Sequence, residues 1–387
     1  MGFLMSQPLK CLVKILTILI IPCSFACHKT VLNQFPQEQS WNWLMAGSSP
    51  QRNYFISTWT IEPPLQIVKT WKTSSAVTST LLLTRNLLFL TTKDGKLEIY
   101  DLRSYKRLKR LTLQNGVEGT IVFYQDDLIV ALRLGRKSLY RMDLLTGQIL
   151  WKQELGTIES EPLIVENRIY VTSLYRGVFC VNADDGTIIW RKDLKTQLHS
   201  SPAVSGQAII FGADNGCVYA LDANSGEQNW KFPTAKAVLA TPVISKNRIF
   251  VGSTDTYFYA LSINSGELGW KFKTAGRILR GASVADKMVI FASNDGNVYC
   301  LDSDTGRKLW VFSTPTIIGT VPLILQKYVY FGALDHYLYG LDLGTGQLEF
   351  KIKLSGQVRT FPIADRHRLI VASEDNSLFI LKSQKNN

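Results

Sequence analysis

The chain has 387 residues, of which 46% are hydrophobic, and a formal net charge of +12. This hydrophobic content is enough for a large buried core. Six cysteines are present without a CxxC pair, which argues against a disulfide framework and against a cysteine-based metal or redox site.

The first 26 residues have the pattern of a secretory signal peptide. Lys10 and Lys14 precede an apolar run at residues 15–21, and small residues follow up to Ala26. The apolar run is too short to span a bilayer, which takes ~20 residues. We therefore expect the protein to be exported with residues 1–26 removed, and we expect no nucleic-acid partner.

Two ways of processing this segment remain open. Residues 24–26 suit ordinary cleavage, which would leave a secreted or periplasmic protein. Ala26-Cys27 resembles a bacterial lipobox, and we favour lipid attachment at Cys27 because a cysteine falls where a lipobox needs one. His28, in place of Asp, then indicates an outer-membrane lipoprotein facing the periplasm. Residues 27–64 are expected to form a lipid-anchored tether and lead-in.

From residue 65 onward the sequence repeats about every 40 residues. Each repeat carries a large apolar anchor: Trp71, Leu111, Trp151, Trp190, Trp230, Trp270, Trp310 and Phe350. A period in this range is typical of solenoids and propellers. The repeat at residues 201–232 contains four short apolar runs, separated by turns such as Asn215-Gly216, and no helical period. Four antiparallel strands per repeat predict a propeller blade and exclude helical repeats.

The third-strand pattern occurs eight times, which predicts an all-β, eight-bladed propeller over residues 65–387. An outer strand at residues 66–73 precedes any inner strand, whereas the last repeat ends near Lys382 without an outer strand. We therefore expect the N-terminal strand to complete the last blade, which closes the ring and removes two exposed sheet edges.

The anchors are expected to pack at the seams between blades. Loss of one buried ring should cost ~3–5 kcal/mol. The six tryptophans assigned this structural role are Trp71, Trp151, Trp190, Trp230, Trp270 and Trp310. Where Leu111 takes their place, the seam should be looser.

Basic residues are concentrated in the first two blades. The residues are Arg103, Lys106, Arg107, Lys109, Arg110, Arg133, Arg136, Lys137 and Arg141. They are expected to form a solvated cationic rim, with attraction to anionic surfaces as the functional alternative. The four histidines lack metal-ligand spacing, and no nucleophile or nucleotide motif is present. The sequence therefore predicts no catalytic residue, no metal and no cofactor.

The segment from Ala220 to Trp230, Ala-Leu-Asp-Ala-Asn-Ser-Gly-Glu-Gln-Asn-Trp, resembles the tryptophan-docking motif of pyrroloquinoline-quinone-type propellers. The segment from Trp43 to Arg52 resembles their Trp-x-x-x-Gly…Arg opening. In size, signal and repeat count the chain is most similar to the BamB family, lipoproteins of the outer-membrane β-barrel assembly machine. In that family a Leu-Arg-Gly-x-Ser loop helps to dock the propeller on the barrel-forming subunit, and residues 279–283 follow this pattern.

The resemblance implies a non-catalytic envelope scaffold, a monomeric propeller within a complex. Leu279, Arg280 and Gly281 would then contact a barrel-assembly subunit. Two alternatives remain open: a pyrroloquinoline-quinone-dependent dehydrogenase, and a propeller that binds polysaccharide or peptidoglycan through the basic first blades. The dehydrogenases are longer and carry adjacent cysteines and acidic calcium ligands, whereas this sequence has no Cys-Cys pair and no insertions to house a cofactor. Fold alone does not decide, because propellers host all three functions.

Overall fold

The computed structural model describes residues 43–77, 79–84, 86–135 and 138–386. In this part of the chain, eight four-stranded antiparallel sheets follow one another and form an eight-bladed β-propeller. The predicted fold class is confirmed. The helical elements described here are two single turns of 3-10 helix, Gln114–Gly116 and Gln384–Asn386.

The four strands of each blade run from the axis of the propeller to its outer edge. In that order, blade 1 consists of Leu82–Thr84, Leu87–Thr91, Lys96–Asp101 and Lys106–Thr112, and blade 2 of Gly119–Tyr124, Asp127–Leu132, Leu139–Asp143 and Ile149–Gln153. Blade 3 consists of Leu163–Val165, Arg168–Ser173, Gly177–Asn182 and Ile188–Lys192, and blade 4 of Ala203–Ser205, Ala208–Gly212, Cys217–Asp222 and Gln228–Pro233. Blade 5 consists of Val243–Ser245, Arg248–Gly252, Tyr257–Ser262 and Leu268–Lys273, and blade 6 of Ala282–Ala285, Met288–Ala292, Asn297–Asp302 and Lys308–Ser313. Blade 7 consists of Leu323–Leu325, Tyr328–Gly332, Tyr337–Asp342 and Leu348–Lys353, and blade 8 of Ile363–Ala364, Leu369–Ser373, Ser377–Ser383 and Leu65–Lys72.

The ring closes in blade 8, where the two ends of the repeat region meet. Leu65–Lys72 pairs antiparallel with Ser377–Ser383, and the register runs from Leu65 opposite Ser383 to Lys72 opposite Ser377. The Lys72 ammonium also lies 3.2 Å from the Asp375 carboxylate. The expected closure by the N-terminal strand is confirmed.

The hydrophobic core lies between neighbouring blades. Successive side chains of a strand point to opposite faces of its sheet, so a central strand contributes to the two seams on either side. Ile209, Ile210 and Phe211 of blade 4 are all fully buried for this reason. At the seam of blades 5 and 6, Phe258 stacks on Phe291 with ring centroids 3.8 Å apart.

Five tryptophans fasten each blade to the next. Each indole donates its N–H to a backbone carbonyl in the turn before the outer strand of the following blade, at 2.9 to 3.1 Å. The five are Trp151, Trp190, Trp230, Trp270 and Trp310. A glycine with positive φ from the same turn packs on each ring; in chain order these glycines are Gly186, Gly226, Gly266, Gly306 and Gly346.

Replacing Gly266 by alanine is expected to lower the free energy of unfolding by about 3 kcal/mol. A side chain is strained at its φ of +71°, and the added Cβ would lie 2.5 Å from Trp230 Cε3. Gly206 supplies the control, because its φ is +56° but a Cβ there meets no atom within 4 Å. Gly206→Ala should therefore cost only the backbone strain, about 1–2 kcal/mol. Equal losses in urea unfolding of the two variants would contradict a role for the indole contact.

The anchor register of blades 1 and 8 differs from the prediction. Lys109, not Leu111, pairs with Ile99, in the register that Trp230 takes opposite Ala220. A longer turn in blade 2 explains the error, since six residues separate its second and third strands where blade 4 has four. Because of these extra residues, a constant spacing of 40 residues counted back from Trp151 leads to Leu111 rather than to Lys109.

Trp71 also lies two residues beyond that register, where Lys69 takes the place of the indole. The Trp71 indole N–H nevertheless reaches the Tyr105 carbonyl of blade 1 at 3.2 Å. Trp71 thereby links blade 8 to blade 1, although it lies two residues further along its strand than the other tryptophan anchors do.

Candidate functional site

Residues 43–56 of the predicted lead-in lie across the centre of the propeller. They bond to the inner strand, or to the residue just before it, in each of the eight blades. The short strand Phe55–Ile56 pairs parallel with Leu323–Leu325 of blade 7. The contacts with the other blades join Trp43 to Leu83 and Ala364, Leu44 to Phe123, Pro50 to Val204, Gln51 to Ile244, Arg52 to Pro162 and Pro202, and Asn53 to Val284. This segment, the axial segment, therefore closes the central channel.

The opening pattern of this segment has a structural cause. Trp43 is buried and donates its indole N–H to the Ala364 carbonyl at 2.7 Å. Gly47 has a φ of +72°, and a Cβ at this position would lie 2.6 Å from the Arg52 carbonyl carbon. Only glycine allows this approach of the backbone. The turn directs the chain back across the axis, where Arg52 is placed.

On one side of the axial segment, the channel opens into a funnel of about 870 Å³. Its wall consists of the loops that lead into the inner strands and of the turns between the second and third strands, and its floor contains Arg52 and Tyr54. One equivalent residue from each blade lines it; in order of blade these are Thr80, Thr120, Glu161, Ser201, Thr241, Gly281, Val321 and Phe361.

The floor of the funnel is held by the buried guanidinium of Arg52. It donates hydrogen bonds to the carbonyls of Glu161, Pro162 and Pro202 at 2.8, 3.2 and 3.0 Å. The Glu161 carboxylate lies 3.7 Å away and also accepts a hydrogen bond from the Thr80 hydroxyl. Burial lowers the pKa of Arg52, whereas the charge of Glu161 opposes this shift. An arginine stays protonated in this setting.

The other carboxylates of the funnel wall are engaged by arginines. Arg133 lies 3.4 Å from Glu118 and 3.3 Å from Glu159. In blade 8, Arg359 Nε lies 2.6 Å from the Glu374 carboxylate. Among the described residues, no group of three or more His, Cys, Asp or Glu is placed to hold a metal ion.

His199 extends one of these ion-pair chains along the funnel wall. Its Nδ1 lies 2.9 Å from the Asp214 carboxylate, and its Nε2 lies 3.6 Å from Glu159. The imidazole thus stands between two carboxylates, one of which it shares with Arg133. Its role here is to join the walls of blades 3 and 4.

Arg280 differs from its counterparts in all other blades. The equivalent residues are Ser79, Gly119, Ser160, Ser200, Ala240, Thr320 and Thr360. All of these small residues except Thr360 are buried; the Ser200 hydroxyl, for example, donates to the Ala240 carbonyl of the next blade at 2.9 Å. The Arg280 side chain is exposed to the funnel, and within the described residues it has no ion pair or hydrogen bond. Desolvation and the charge of nearby Arg359 lower its pKa.

The two neighbours of Arg280 in the predicted docking loop also line the funnel. Leu279 is half-buried there. Gly281 is buried, and a Cβ at this position would lie 3.3 Å from the Thr241 carbonyl oxygen. The structure therefore brings Leu279, Arg280 and Gly281 together at one site. The tryptophan anchors lie at the blade seams, and Cys27 lies outside the described residues.

Several basic residues of the first two blades are already paired. Arg110 Nε lies 2.7 Å from the fully buried Glu98 carboxylate, and Arg141 Nε lies 2.6 Å from Asp127. Lys106 and Arg107 are exposed on the outer strand of blade 1. Arg136 and Lys137 lie outside the described residues.

Comparison with known proteins places the chain among relatives with the same propeller. The family model described as outer membrane protein assembly factor BamB matches residues 135–240, 214–348 and 295–385. The chain belongs to the BamB family. BamB from Escherichia coli K12 is 31% identical over 83 residues, and BamB from Salmonella typhimurium LT2 is 30% identical over the same length. Each match spans 21% of this chain and only about a fifth, 21%, of the relative.

Solved structures support the same architecture. BamB from Moraxella catarrhalis superimposes with a TM-score of 0.70 at 18% identity, covering 82% of this chain and 100% of that one. A europium-containing methanol dehydrogenase superimposes with a TM-score of 0.76 at 11% identity, covering 89% and 98% of the two chains. At these identities the likeness concerns the fold alone. Among the described residues, no helix has the length and apolar character needed to cross a bilayer.

Proposed function

We propose that this BamB-family chain is a non-catalytic scaffold of the cell envelope that docks on a subunit of the β-barrel assembly machinery. The family match supports a role in outer-membrane protein assembly. The observation that carries the proposal is the Arg280 guanidinium, which has no ion pair or hydrogen bond within the described part of the chain and stands where the other blades have small residues.

Arg280 is suited to anchor a partner protein. A guanidinium offers five N–H donors, and arginine is enriched among the residues that dominate interface energies. Because its surroundings in the funnel are partly desolvated, a carboxylate brought in by a partner would gain more than at an open surface. Leu279 offers an apolar surface beside it, and Gly281 has no side chain that would cover the guanidinium.

The remaining parts of the chain are assigned as follows. Residues 1–26 are the signal peptide, residues 27–64 are the tether and lead-in, and residues 65–387 are the propeller. Cys27 carries the lipid and holds the protein at the outer membrane, facing the periplasm. The name of the matched family, an outer membrane assembly factor, supports this location.

The funnel does not fit a quinone cofactor that is bound through calcium. Calcium takes six to eight oxygen ligands, several of them carboxylates. The glutamates of the described funnel wall are instead held by Arg133, Arg359, Thr80 and Arg52. The case for polysaccharide binding by blade 1 is also weaker, because Arg110, one of its basic residues, already forms an ion pair with the buried Glu98.

Replacing Arg280 by glutamate is expected to reduce binding of the barrel-assembly subunit by about 30-fold or more, since hot-spot residues are worth roughly 2 kcal/mol or above. Binding is measured by co-purification from cells and by titration of the purified pair. Arg307→Glu is the matched control, because it makes the same charge change at an exposed turn on the opposite face. Wild-type binding by the Arg280 variant would overturn the proposal, as would equal losses in both variants.

A further inference from the structure

The turn between the second and third strands follows one rule in six blades. The residue two positions before the third strand is an acid or its amide: Asp94, Asn215, Asp255, Asp295, Asp335 and Asp375. In four of them this side chain accepts the backbone N–H of the first residue of the strand, at 2.9 to 3.2 Å. Such a side chain fixes the turn by an internal hydrogen bond.

Blades 2 and 3 break this rule. Blade 3 has Tyr175 in place of the acceptor, and blade 2 has the longer turn that contains Leu134. The exposed fractions of Leu134 and Tyr175 are 62% and 66%, the two highest among the large hydrophobic residues described. Blade 3 thus has no such acceptor at this position, and both adjacent blades present an apolar group to solvent. Departures from local rules of this kind are expected at functional surfaces.

The surroundings of both residues are basic. Arg133 precedes Leu134, and Arg176 follows Tyr175. Arg176 is half-exposed and lies 3.5 Å from Glu154, an exposed pair that adds little stability. Tyrosine and arginine together are the residues most typical of interface hot spots. The surface fits a protein with an apolar pocket bordered by carboxylates.

The position of this surface relative to the funnel indicates its occupant. Arg133 lines the funnel, so the turns of blades 2 and 3 open on the same face as Arg280. Blade 6, which carries Arg280, faces blade 2 across the ring of eight. A stable interface buries roughly 800 Å² per partner, far more than one loop offers. A partner on Arg280 therefore covers more than this loop, and one that extends across the mouth of the funnel reaches blades 2 and 3.

We propose that Leu134 and Tyr175 form a second contact surface, the blade 2–3 rim, for the same partner that binds Arg280. This inference rests on the proposed function and specifies its geometry. The partner spans the funnel, inserts an apolar pocket over Tyr175 and Leu134, and places carboxylates beside Arg133 and Arg176.

The test uses a variant that should fold at least as well as the wild type. Tyr175→Asn restores the turn acceptor in the form that Asn215 has in blade 4, without a change of charge. The melting temperature should be unchanged or higher, whereas photo-crosslinking of the barrel-assembly subunit in intact cells from position 241, beside Gly281 in the funnel wall, should fall by about tenfold or more. Leu134→Ser should act in the same direction. Leu309→Ser, at a residue that is 40% exposed on the outer strand of blade 6, is the control and should bind as the wild type does.

Crosslinking from position 175 separates this inference from the function on which it rests. Capture of the same subunit from positions 175 and 241, with less capture from 241 in Tyr175→Asn, supports both. Capture from 241 alone, or capture from 241 that is unchanged by Tyr175→Asn, overturns the rim and leaves the scaffold function standing. Capture from neither position overturns both. Sedimentation with phosphatidylglycerol vesicles that is lost in Tyr175→Asn, while capture from 241 is unchanged, would assign the rim to lipid and would also overturn the inference.

Discussion

Replacing Arg52 by methionine is expected to destabilise the propeller by about 4 kcal/mol, because the loss of one partner from a buried charged network typically costs 3–5 kcal/mol. The guanidinium is 2% exposed and donates to carbonyls of blades 3 and 4 as well as to Ala46 of the axial segment. Methionine fills a similar volume but offers no donor, so the carbonyls of Glu161, Pro162 and Pro202 would be left without it. Urea unfolding followed by tryptophan fluorescence measures the loss.

Arg52→Lys is the control for charge. Lysine keeps the cation but carries its donors on one compact ammonium group, which cannot reach carbonyls of two blades at once. We therefore expect a loss between those of the wild type and the methionine variant. If lysine and arginine were equally stable, charge rather than the fork of hydrogen bonds would hold the floor of the funnel. A methionine variant as stable as the wild type would contradict any structural role for the network.

Replacing Arg368 by methionine is expected to cost a similar ~3–5 kcal/mol at the seam where the ring closes. Arg368 of blade 8 donates to the Leu102 carbonyl and to Asn86 Oδ1 of blade 1, at 2.5 and 2.6 Å. It also lies 2.6 Å from the Asp365 carboxylate, whose side chain is only 3% exposed. Removing the arginine would leave this carboxylate buried without a counter-charge.

The double variant Arg368→Met with Asp365→Asn tests that explanation. Asparagine keeps an oxygen for the backbone N–H of His367, to which Asp365 Oδ1 now bonds at 2.8 Å, but carries no charge. The double variant should recover about half of the stability lost in Arg368→Met, since interacting residues are not additive. A loss equal to or larger than that of the single variant would show that the bonds to Leu102 and Asn86 outweigh the ion pair.

The fold could be predicted from the sequence because its determinants are local and repeated. In each blade, apolar runs separated by glycine-containing turns indicate the strands. The additional strand that ends at Lys72 supplies the outer strand that is missing after Ser383. The anchor of blade 1 was assigned wrongly because an insertion elsewhere kept the spacing constant. Only the observed pairing of Lys109 with Ile99 reveals the shift.

The site was predicted only in part. The pattern of residues 279–283 pointed to the loop proposed for docking, but it did not show that Arg280 lies in a funnel without an ion pair or hydrogen bond to any described residue. Aligning the eight repeats would have given a signal, since Arg280 stands among Ser, Thr, Gly and Ala. The path of the axial segment has no such signal. It depends on contacts such as Trp43 with Ala364, which are 321 residues apart and follow no period.

The pairing of Leu65–Lys72 with Ser377–Ser383 links completion of the fold to synthesis of the last strand of the repeat region. A ribosome makes the first of these strands before every inner strand of the propeller and its partner after all of them. Until then, one edge of the sheet and the apolar surface around Trp43 stay open, and exposed strand edges of this kind invite aggregation. A chain that ends before Ser377 cannot cover this edge and this apolar surface. Their exposure is therefore a feature by which proteases can distinguish such truncated chains from chains that include Ser377–Ser383.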